Sequence, residues 1–229
     1  MELIPIASVE NDFASCFGIP RQGGLHEAKS NIVFLPEFRD PDALRGLEGF
    51  SHIWLLWGFH KKLGQEGSGK WQPTVRPPRL GGKQRIGVFA SRSPNRPNPV
   101  GLSALKIANI LLDSPRGPIL EVFGADILNG SPVYDIKPYL PYADCIPEAA
   151  AGAFHTAPAP RLEVVATAQV IASIPEKLWP QIEKILALDP RPAYQDDPER
   201  VYGISYGAYN IRFRVAEDVL TVVEISENL

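Results

Sequence analysis

Short apolar segments, several of them alternating with polar residues, recur through the first two thirds of the chain and are separated by Gly and Pro. Such alternation is typical of half-buried β-strands. The predicted strands cover 3–9, 31–35, 51–59, 85–91, 100–110, 119–128 and 133–137. The dense apolar run 51–59 predicts a strand buried on both faces. Many short strands indicate an all-β sandwich or barrel, because a doubly wound α/β fold requires long crossover helices.

Helical signals are weak before residue 150 and stronger after it. Asp40 and Pro41 predict the cap and the first position of a short helix over 40–47. The Ala- and Pro-rich segment 149–160 predicts a linker.

The pattern beyond this linker is that of a small α+β unit. Ser173 and Glu176 match a capping box, and apolar residues then recur at helical spacing. Pro180 either delays or kinks the helix that this spacing predicts. Further strands are predicted over 161–172, 208–215 and 219–225.

The composition is that of an ordinary globular protein, with 45% apolar and 21% charged residues. We predict a mainly β fold, with a β-rich domain over 1–150 and a smaller α+β C-terminal domain over 161–229. No apolar run reaches the roughly eighteen residues of a membrane span, and residues 1–5 do not resemble a signal peptide. The two cysteines, Cys16 and Cys145, therefore indicate a reducing, cytoplasmic location.

Charge is distributed unevenly along the chain. The formal net charge is −3, which argues against indiscriminate nucleic-acid binding, yet no Asp or Glu occurs between Gly67 and Leu112. The basic residues of this stretch are Lys70, Arg76, Arg79, Lys83, Arg85, Arg92, Arg96 and Lys106. They indicate either a local anion site, for a phosphate backbone or a nucleotide, or a solvated face balanced elsewhere in the fold.

Proline stiffens the same stretch. Six prolines lie within 73–99, and proline fixes φ. A stiff loop that carries Arg92, Arg96, Asn95 and Asn98 orders polar groups for binding at low entropic cost. Guanidinium groups suit carboxylate or phosphate. The alternative is a rigid structural crossover with surface arginines.

A second candidate stretch, 126–144, combines carboxylates with aromatic rings. Asn129 and Gly130 are a strong turn signal between two apolar runs. Aromatic faces suit base stacking, although a packing role is the alternative for each tyrosine. The carboxylates, tyrosines and lysine of this stretch are Asp126, Asp135, Asp144, Tyr134, Tyr139, Tyr142 and Lys137.

Other known nucleotide-binding, catalytic and metal-binding motifs do not occur in the sequence. No metal-ligand spacing, Walker A loop, Gly-x-Gly-x-x-Gly, Gly-x-Ser-x-Gly or His-Glu-x-x-His occurs, so no metal site is predicted. His60, at the end of the run 51–59, is the better histidine candidate for a site, whereas His52 fits a core position.

Five segments together resemble the TsaA/YaeB family, also called TrmO. The motifs are long and specific, and the resemblance spans nearly the whole chain. The segments are FGIPRQGGL (17–25), LRGLEGFSHIWLLWGFH (44–60), WQPTVRPPRLGGKQRIGVFASRSPNRPNPVGLS (71–103), DILNGSPVYDIKPYLPYAD (126–144) and DPRPAY (189–194).

The resemblance implies a small β-barrel core that uses S-adenosylmethionine without a Rossmann fingerprint. It implies methylation of N6 of N6-threonylcarbamoyladenosine at position 37 of tRNA, 3′ of the anticodon, in threonine tRNA in particular. It also implies a homodimer. The cofactor residues it implies in this sequence are Pro20, Arg21, Gln22, His60, Lys61, Arg92, Leu102, Leu128, Asn129, Gly130 and Ser131.

Three positions depart from the family pattern. Asn129 stands where Asp is usual, Lys61 where Gln is common, and Asn95 where an aromatic is frequent. These departures bear on the recognition of ribose or adenine.

Methyl transfer from a sulfonium is an in-line displacement, in which positioning lowers the barrier. Because the urea-like acceptor nitrogen is a poor nucleophile, we predict Asp126 or Asp135 as base or orienter and Tyr139 as a supporting hydrogen-bond partner. The predicted substrate-binding residues are Arg96, Asn98 and Lys137. The alternatives are a non-catalytic module that binds tRNA or a nucleotide, and a methyltransferase for another small substrate.

Overall fold

The chain folds into strands joined by short turns and a few short helices. The structure, a computed structural model, describes residues 2–60, 71–77, 80, 84–155, 162–191, 195 and 197–228. The strands are β1 (Ala7–Glu10), β2 (Lys29–Phe34), β3 (His52–Gly58), β4 (Thr74–Val75), β5 (Ile86–Gly87), β6 (Val100–Leu111), β7 (Ile119–Phe123), β8 (Pro132–Pro138), β9 (Glu163–Ala166), β10 (Tyr202–Tyr206), β11 (Tyr209–Ala216) and β12 (Val219–Glu227). The α-helices are α1 (Pro141–Asp144), α2 (Ala168–Ile171) and α3 (Trp179–Leu186). The predicted mainly β fold is confirmed.

Six antiparallel strands close into a barrel in the order β1-β2-β7-β6-β3-β8, and β8 pairs back onto β1. Closure leaves no free sheet edge. The interior is filled by alternate residues, such as Ile53, Leu55 and Trp57 of β3. The prediction that this strand is buried on both faces is wrong, because its other face, with Trp54 and Leu56, is the partly exposed outer wall.

The barrel interior is tightly packed where β3 meets β6. Trp57 and Gly101 are register partners, and a Cβ on Gly101 would lie 2.3 Å from Trp57 Cε2. Only glycine leaves room for the indole at this position. The Trp57 Nε1–H also donates a hydrogen bond to Ser103 Oγ at 3.1 Å, so packing and hydrogen bonding both fix the ring.

A four-stranded sheet in the order β10-β11-β12-β9, with β9 parallel to β12, forms the C-terminal part. Helix α3 buries Ile182 and Ile185 in its core. Phe13 and Ala28, from the segment between β1 and β2, belong to the same hydrophobic cluster. This segment therefore packs against the C-terminal sheet as well as belonging to the barrel half of the chain.

The predicted domain limits, 1–150 and 161–229, stay a prediction. Residues 156–161 of the predicted linker and its boundary lie outside the described residues. Within the described ranges, no helix is long and apolar enough to cross a membrane.

Local structure departs from the sequence prediction where side chains bind backbone groups. The predicted strand 85–91 lasts two residues, because the chain enters a 3-10 turn over Val88–Ala90. The predicted strand 161–172 ends at Ala166, and α2 follows because Thr167 Oγ1 accepts a hydrogen bond from the Val170 N–H at 3.3 Å.

The two predicted helices also differ in detail. A short 3-10 turn, Pro41–Leu44, replaces the helix over 40–47, and Asp40 caps it as expected by accepting from the Asp42 N–H. The capping box of Ser173 and Glu176 does not form. Helix α3 starts later, with Pro180 in its first turn, where the missing N–H costs no hydrogen bond.

Candidate active site

Several of the predicted site residues meet at one end of the barrel. Strand β3 ends at Gly58, directly opposite Val100, where β6 begins. Strand β8 also begins at this end, since its Val133 pairs with the residue before Gly58. His60, the loop 91–98 and the turn that precedes β8 therefore all emerge at the same place.

Asp126 lies at the centre of a hydrogen-bonded network that reaches into the barrel. Ser103 Oγ–H donates to Asp126 Oδ1 at 2.7 Å and accepts from the Trp57 indole at 3.1 Å. The Gly23 backbone N–H also donates to the Asp126 carboxylate. A Cβ on Gly23 would lie 3.2 Å from Asp126 Oδ1, which is closer than most side chains tolerate. The network joins the barrel interior to the Pro20–Gly23 segment.

Burial raises the pKa of the Asp126 carboxyl above its ordinary value, because a buried carboxylate loses its hydration. The Ser103 hydrogen bond and the nearby Arg92 guanidinium offset part of this effect. The carboxylate is already directed at Ser103 and Gly23. This arrangement favours the predicted role of orienter over that of base.

Arg92 contacts the same segment from the loop 91–98. Its Nη1–H donates to Gln22 Oε1. Within the described part of the chain, no carboxylate lies within ion-pair distance of Arg92. The guanidinium is thus held in place by a neutral amide and keeps its charge available to an anionic ligand.

The C-terminal part anchors the neighbouring Arg21. Arg21 Nη2–H donates to the Arg191 carbonyl oxygen at 2.5 Å. The Arg191 side chain is buried, and it donates twice to the Asp189 carboxylate, at 2.9 and 3.1 Å. Asp189 itself adopts the left-handed backbone region, with φ of 52°. The turn that follows α3 therefore fixes the position of Arg21.

The Asn129-Gly130 turn lies beside His60. His60 Nδ1 is 3.1 Å from Ser131 Oγ, and Gly130 has φ of 80°, which glycine adopts without steric cost. Asn129 Oδ1 accepts a hydrogen bond from the Asn11 N–H at 3.1 Å. This contact requires only an acceptor oxygen, which asparagine and aspartate side chains both provide.

Leu102 and Asp135 lie on the outer face of the barrel, where both are register partners of Leu56. Leu102 is 55% exposed. Asp135 forms a surface ion pair with Lys137 at 3.0 Å, an interaction that contributes little to stability.

Tyr139 is not brought to this end of the barrel. Its backbone N–H donates to the His52 carbonyl at 3.0 Å, and its ring packs 5.5 Å from that of Trp54. The length of β3, about 20 Å, separates His52 from Gly58. A direct role for Tyr139 beside His60 therefore has no geometric support.

Arg96 donates hydrogen bonds to backbone carbonyls of its own loop instead of pointing into solvent. Its Nη2–H groups donate to the carbonyls of Val88 and Ser91 at 3.1 and 2.6 Å, and its Nε–H donates to that of Ser93 at 3.0 Å. Asn98 is exposed at the end of the same loop. Substrate binding by these residues stays a prediction.

The remaining predicted cofactor residues occupy less accessible places. Pro20 and Leu128 are buried, and Lys61 lies outside the described residues. Among the described side chains, no three His, Cys, Asp or Glu groups converge in a way that could hold a metal ion.

Two family models match the chain: the tRNA-methyltransferase O N-terminal domain over residues 8–145 and the TrmO C-terminal domain over 160–228. The chain belongs to the TrmO family. A tRNA (adenine(37)-N6)-methyltransferase from Escherichia coli (strain K12) is 40% identical over 221 residues, which cover 93% of this chain and 92% of that protein. The family resemblance inferred from the sequence is thereby confirmed.

Two further matches come from Pseudomonas aeruginosa. A protein described as a putative S-adenosylmethionine-dependent methyltransferase RcsF is 38% identical over 232 residues, covering 97% of this chain and 96% of that protein. The crystal structure of TrmO from this species matches with a TM-score of 0.79 at 30% identity, covering 100% of this chain and 97% of that chain. The TrmO fold thus extends over both parts of the chain.

Sequence reasoning missed several supporting residues of this TrmO-family site. Ser103 had one usable signal, since it is a polar residue at an inward position of an alternating strand. The contacts of Asn11 and Arg191 join segments 118 and 170 residues apart, and no local pattern predicts them. Trp57 lies in the predicted strand 51–59, but its hydrogen bond to Ser103 depends on strand pairing.

Replacing Asp126 by Asn is expected to change how stability depends on pH. The folded-state pKa of Asp126 lies above the ordinary value of 3.8, so the folded wild type binds more protons than the unfolded chain between these two values. The free energy of unfolding of the wild type therefore falls as pH rises through that window. The variant has no carboxyl to titrate at this position, so its free energy of unfolding does not fall in this way. Its stability relative to the wild type should therefore increase with pH. Urea unfolding between about pH 4 and pH 7 measures the difference, and a difference independent of pH would contradict the assignment.

Proposed function

We propose that this chain is an S-adenosylmethionine-dependent methyltransferase that acts on N6 of adenosine 37 in tRNA. The observation that carries the proposal is the convergence of Gln22, Arg92, His60 and the turn before β8 at one end of a TrmO-family barrel. The relative from Escherichia coli that bears this name matches over 92% of its length. The finer proposal is that the acceptor is N6-threonylcarbamoyladenosine in threonine tRNA and that the enzyme works in the cytoplasm.

The described residues suit S-adenosylmethionine, which carries a carboxylate, an amino group, ribose hydroxyls and a purine. Arg92 offers a cation to the carboxylate. Asn95 Oδ1, in the same loop, is a buried acceptor that finds no donor among the described residues. Leu102 offers an exposed apolar side chain for the purine. Gly130 allows close approach of the turn backbone.

When bound, S-adenosylmethionine supplies a methyl group on a sulfonium, so the protein's main task is positioning. Asp126 and Ser103 hold the segment that carries Gln22, and Arg92 fixes its amide. The turn after α3 holds Arg21 from the other side. Well-oriented reactants gain up to roughly 7–11 kcal/mol over a bimolecular encounter. These contacts are the means by which the chain orients its ligands.

The two predicted carboxylates are suited to different tasks. Asp126 is buried and bound to Ser103 and Gly23, so we assign it to positioning. Asp135 is partly exposed on the barrel wall and shares the neighbour Leu56 with Leu102. It is the carboxylate that water or a bound substrate can reach, and we assign to it the role of proton acceptor.

We also propose that the chain forms a homodimer, as the family resemblance implies. Sedimentation velocity of the purified chain should then give the coefficient of a dimer. A wild type that sediments as a monomer at micromolar concentration would contradict this part of the proposal.

Replacing Arg92 by Ala should weaken S-adenosylmethionine binding and methyl transfer. A hydrogen bond to a charged group contributes about 1.5–3 kcal/mol, so we expect the affinity for S-adenosylmethionine to fall by roughly 10- to 150-fold. Calorimetry with the cofactor and transfer of radiolabelled methyl to tRNA carrying threonylcarbamoyladenosine measure the two effects. Arg45→Ala is the matched control, since Arg45 is an exposed arginine paired with Asp42 on a distant turn.

Unchanged binding and transfer in the Arg92 variant would remove this residue from the site. A wild type that binds tRNA and gives no heat with S-adenosylmethionine would instead support a non-catalytic RNA-binding module.

A further inference from the structure

Two large aromatic side chains project into solvent beside the two-stranded ribbon of β4 and β5. Phe89 is 77% exposed and Trp71 is 47% exposed. Their ring centroids are 6.1 Å apart, and the ring planes are inclined by 30°. Packed aromatic residues normally bury most of their surface, so a pair of neighbouring rings left in water marks an interaction surface.

Two arginines lie on the ribbon beside these rings. The register of the ribbon pairs Val75 with Ile86, so Arg76, which follows β4, and Arg85, which precedes β5, leave the ribbon at the same end. Arg85 Nη1–H donates to Thr74 Oγ1 at 3.0 Å, which holds its guanidinium against the ribbon. Among the described residues, no carboxylate forms an ion pair with either arginine.

Hydrogen bonds connect this surface rigidly to the candidate active site. Phe89 lies in a 3-10 turn whose first residue, Val88, is buried. The Val88 carbonyl accepts from Ser91 Oγ at 2.8 Å and from Arg96 Nη2 at 3.1 Å. Arg92 follows Phe89 by three residues, so their Cα atoms are no more than about 11 Å apart. One bound RNA loop can therefore contact both.

We propose that the surface formed by Trp71, Phe89, Arg76 and Arg85 binds a single-stranded RNA loop, with unpaired bases stacked on the rings and phosphates held by the arginines. Every base has a face that stacks on an aromatic ring. Guanidinium groups without carboxylate partners match phosphate oxygens in charge and geometry. The proposal rests on the proposed function, because it assigns the RNA-binding part of the same enzyme.

A second copy of the chain is a poorer occupant of this surface. An isologous contact would place Arg76 and Arg85 near their own counterparts. The sequence supplies no Asp or Glu between Gly67 and Leu112 to compensate this repulsion locally. RNA brings the missing negative charge.

The decisive variants change Phe89. Phe89→Ala should raise the Kd for tRNA by about 5- to 150-fold, the loss expected for one stacked base, and leave the Kd for S-adenosylmethionine unchanged. Phe89→Trp should retain tRNA affinity because it keeps an aromatic face. Phe89→Leu keeps the apolar bulk without that face, so it should lose affinity. Fluorescence titration with tRNA and calorimetry with the cofactor measure the two constants.

The matched control is Phe50→Ala, because Phe50 is a 37% exposed aromatic residue that precedes β3, at the opposite end of that strand from Gly58. It should leave the Kd for tRNA unchanged. Replacing Arg76 and Arg85 together by Gln should reduce the slope of log affinity against log salt by about 0.7 for each phosphate that the variant no longer neutralises.

An unchanged Kd for tRNA in Phe89→Ala would overturn the proposal. It would also be overturned if sedimentation velocity showed that Phe89→Ala dissociates a dimer, since the surface would then be an interface between copies. RNA affinity is measured directly in these experiments. They therefore decide the proposal even if the wild type transfers no methyl group, a result that would count against the proposed function instead.

Discussion

The hydrogen bond between Ser103 and Asp126, 2.7 Å long, is the contact on which the arrangement of the site depends. Ser103 is fixed in turn by the Trp57 indole, which the absent side chain at Gly101 allows to fill the barrel interior. Asp126 receives the Gly23 N–H on the other side, so packing inside the barrel determines where the Pro20–Gly23 segment lies. These donors and the nearby guanidinium of Arg92 offset part of the cost of its lost hydration, and the pKa of the Asp126 carboxyl stays above its ordinary value.

The same segment is held from three directions, and each contact comes from a different part of the chain. Asp126 binds it at Gly23, Arg92 binds it at Gln22, and the turn after α3 binds it at Arg21. The C-terminal sheet is therefore connected to the candidate site and does more than extend the chain. This gives the TrmO C-terminal domain a physical role, because it restrains a segment that the barrel alone would hold at one end.

Local patterns predicted the barrel strands because alternation records which side chains face a core. They could not predict the Ser103–Asp126 bond, whose partners lie 23 residues apart and meet only when the strands pair. The predicted strand 85–91 ends after Gly87 because Arg96 and Ser91 bind the Val88 carbonyl, and alternation does not record such contacts. Gln22 was predicted through family resemblance alone, whereas His60 was already a site candidate because it ends the apolar run 51–59. Composition alone predicted that Arg96 binds an anionic ligand. In the structure, its N–H groups donate to backbone carbonyl oxygens instead.

We propose that this barrel directs methyl transfer to N6 of the threonylcarbamoyladenosine beside the anticodon. Mass spectrometry of tRNA nucleosides, from cells in which the gene is deleted and from the same cells complemented with it, measures this reaction in its natural setting. N6-methylated threonylcarbamoyladenosine should disappear on deletion and the unmethylated nucleoside should accumulate, and the wild-type gene should reverse both changes while the Arg92→Ala gene does not. Persistence of the methylated nucleoside at its normal level in the deletion strain would contradict it.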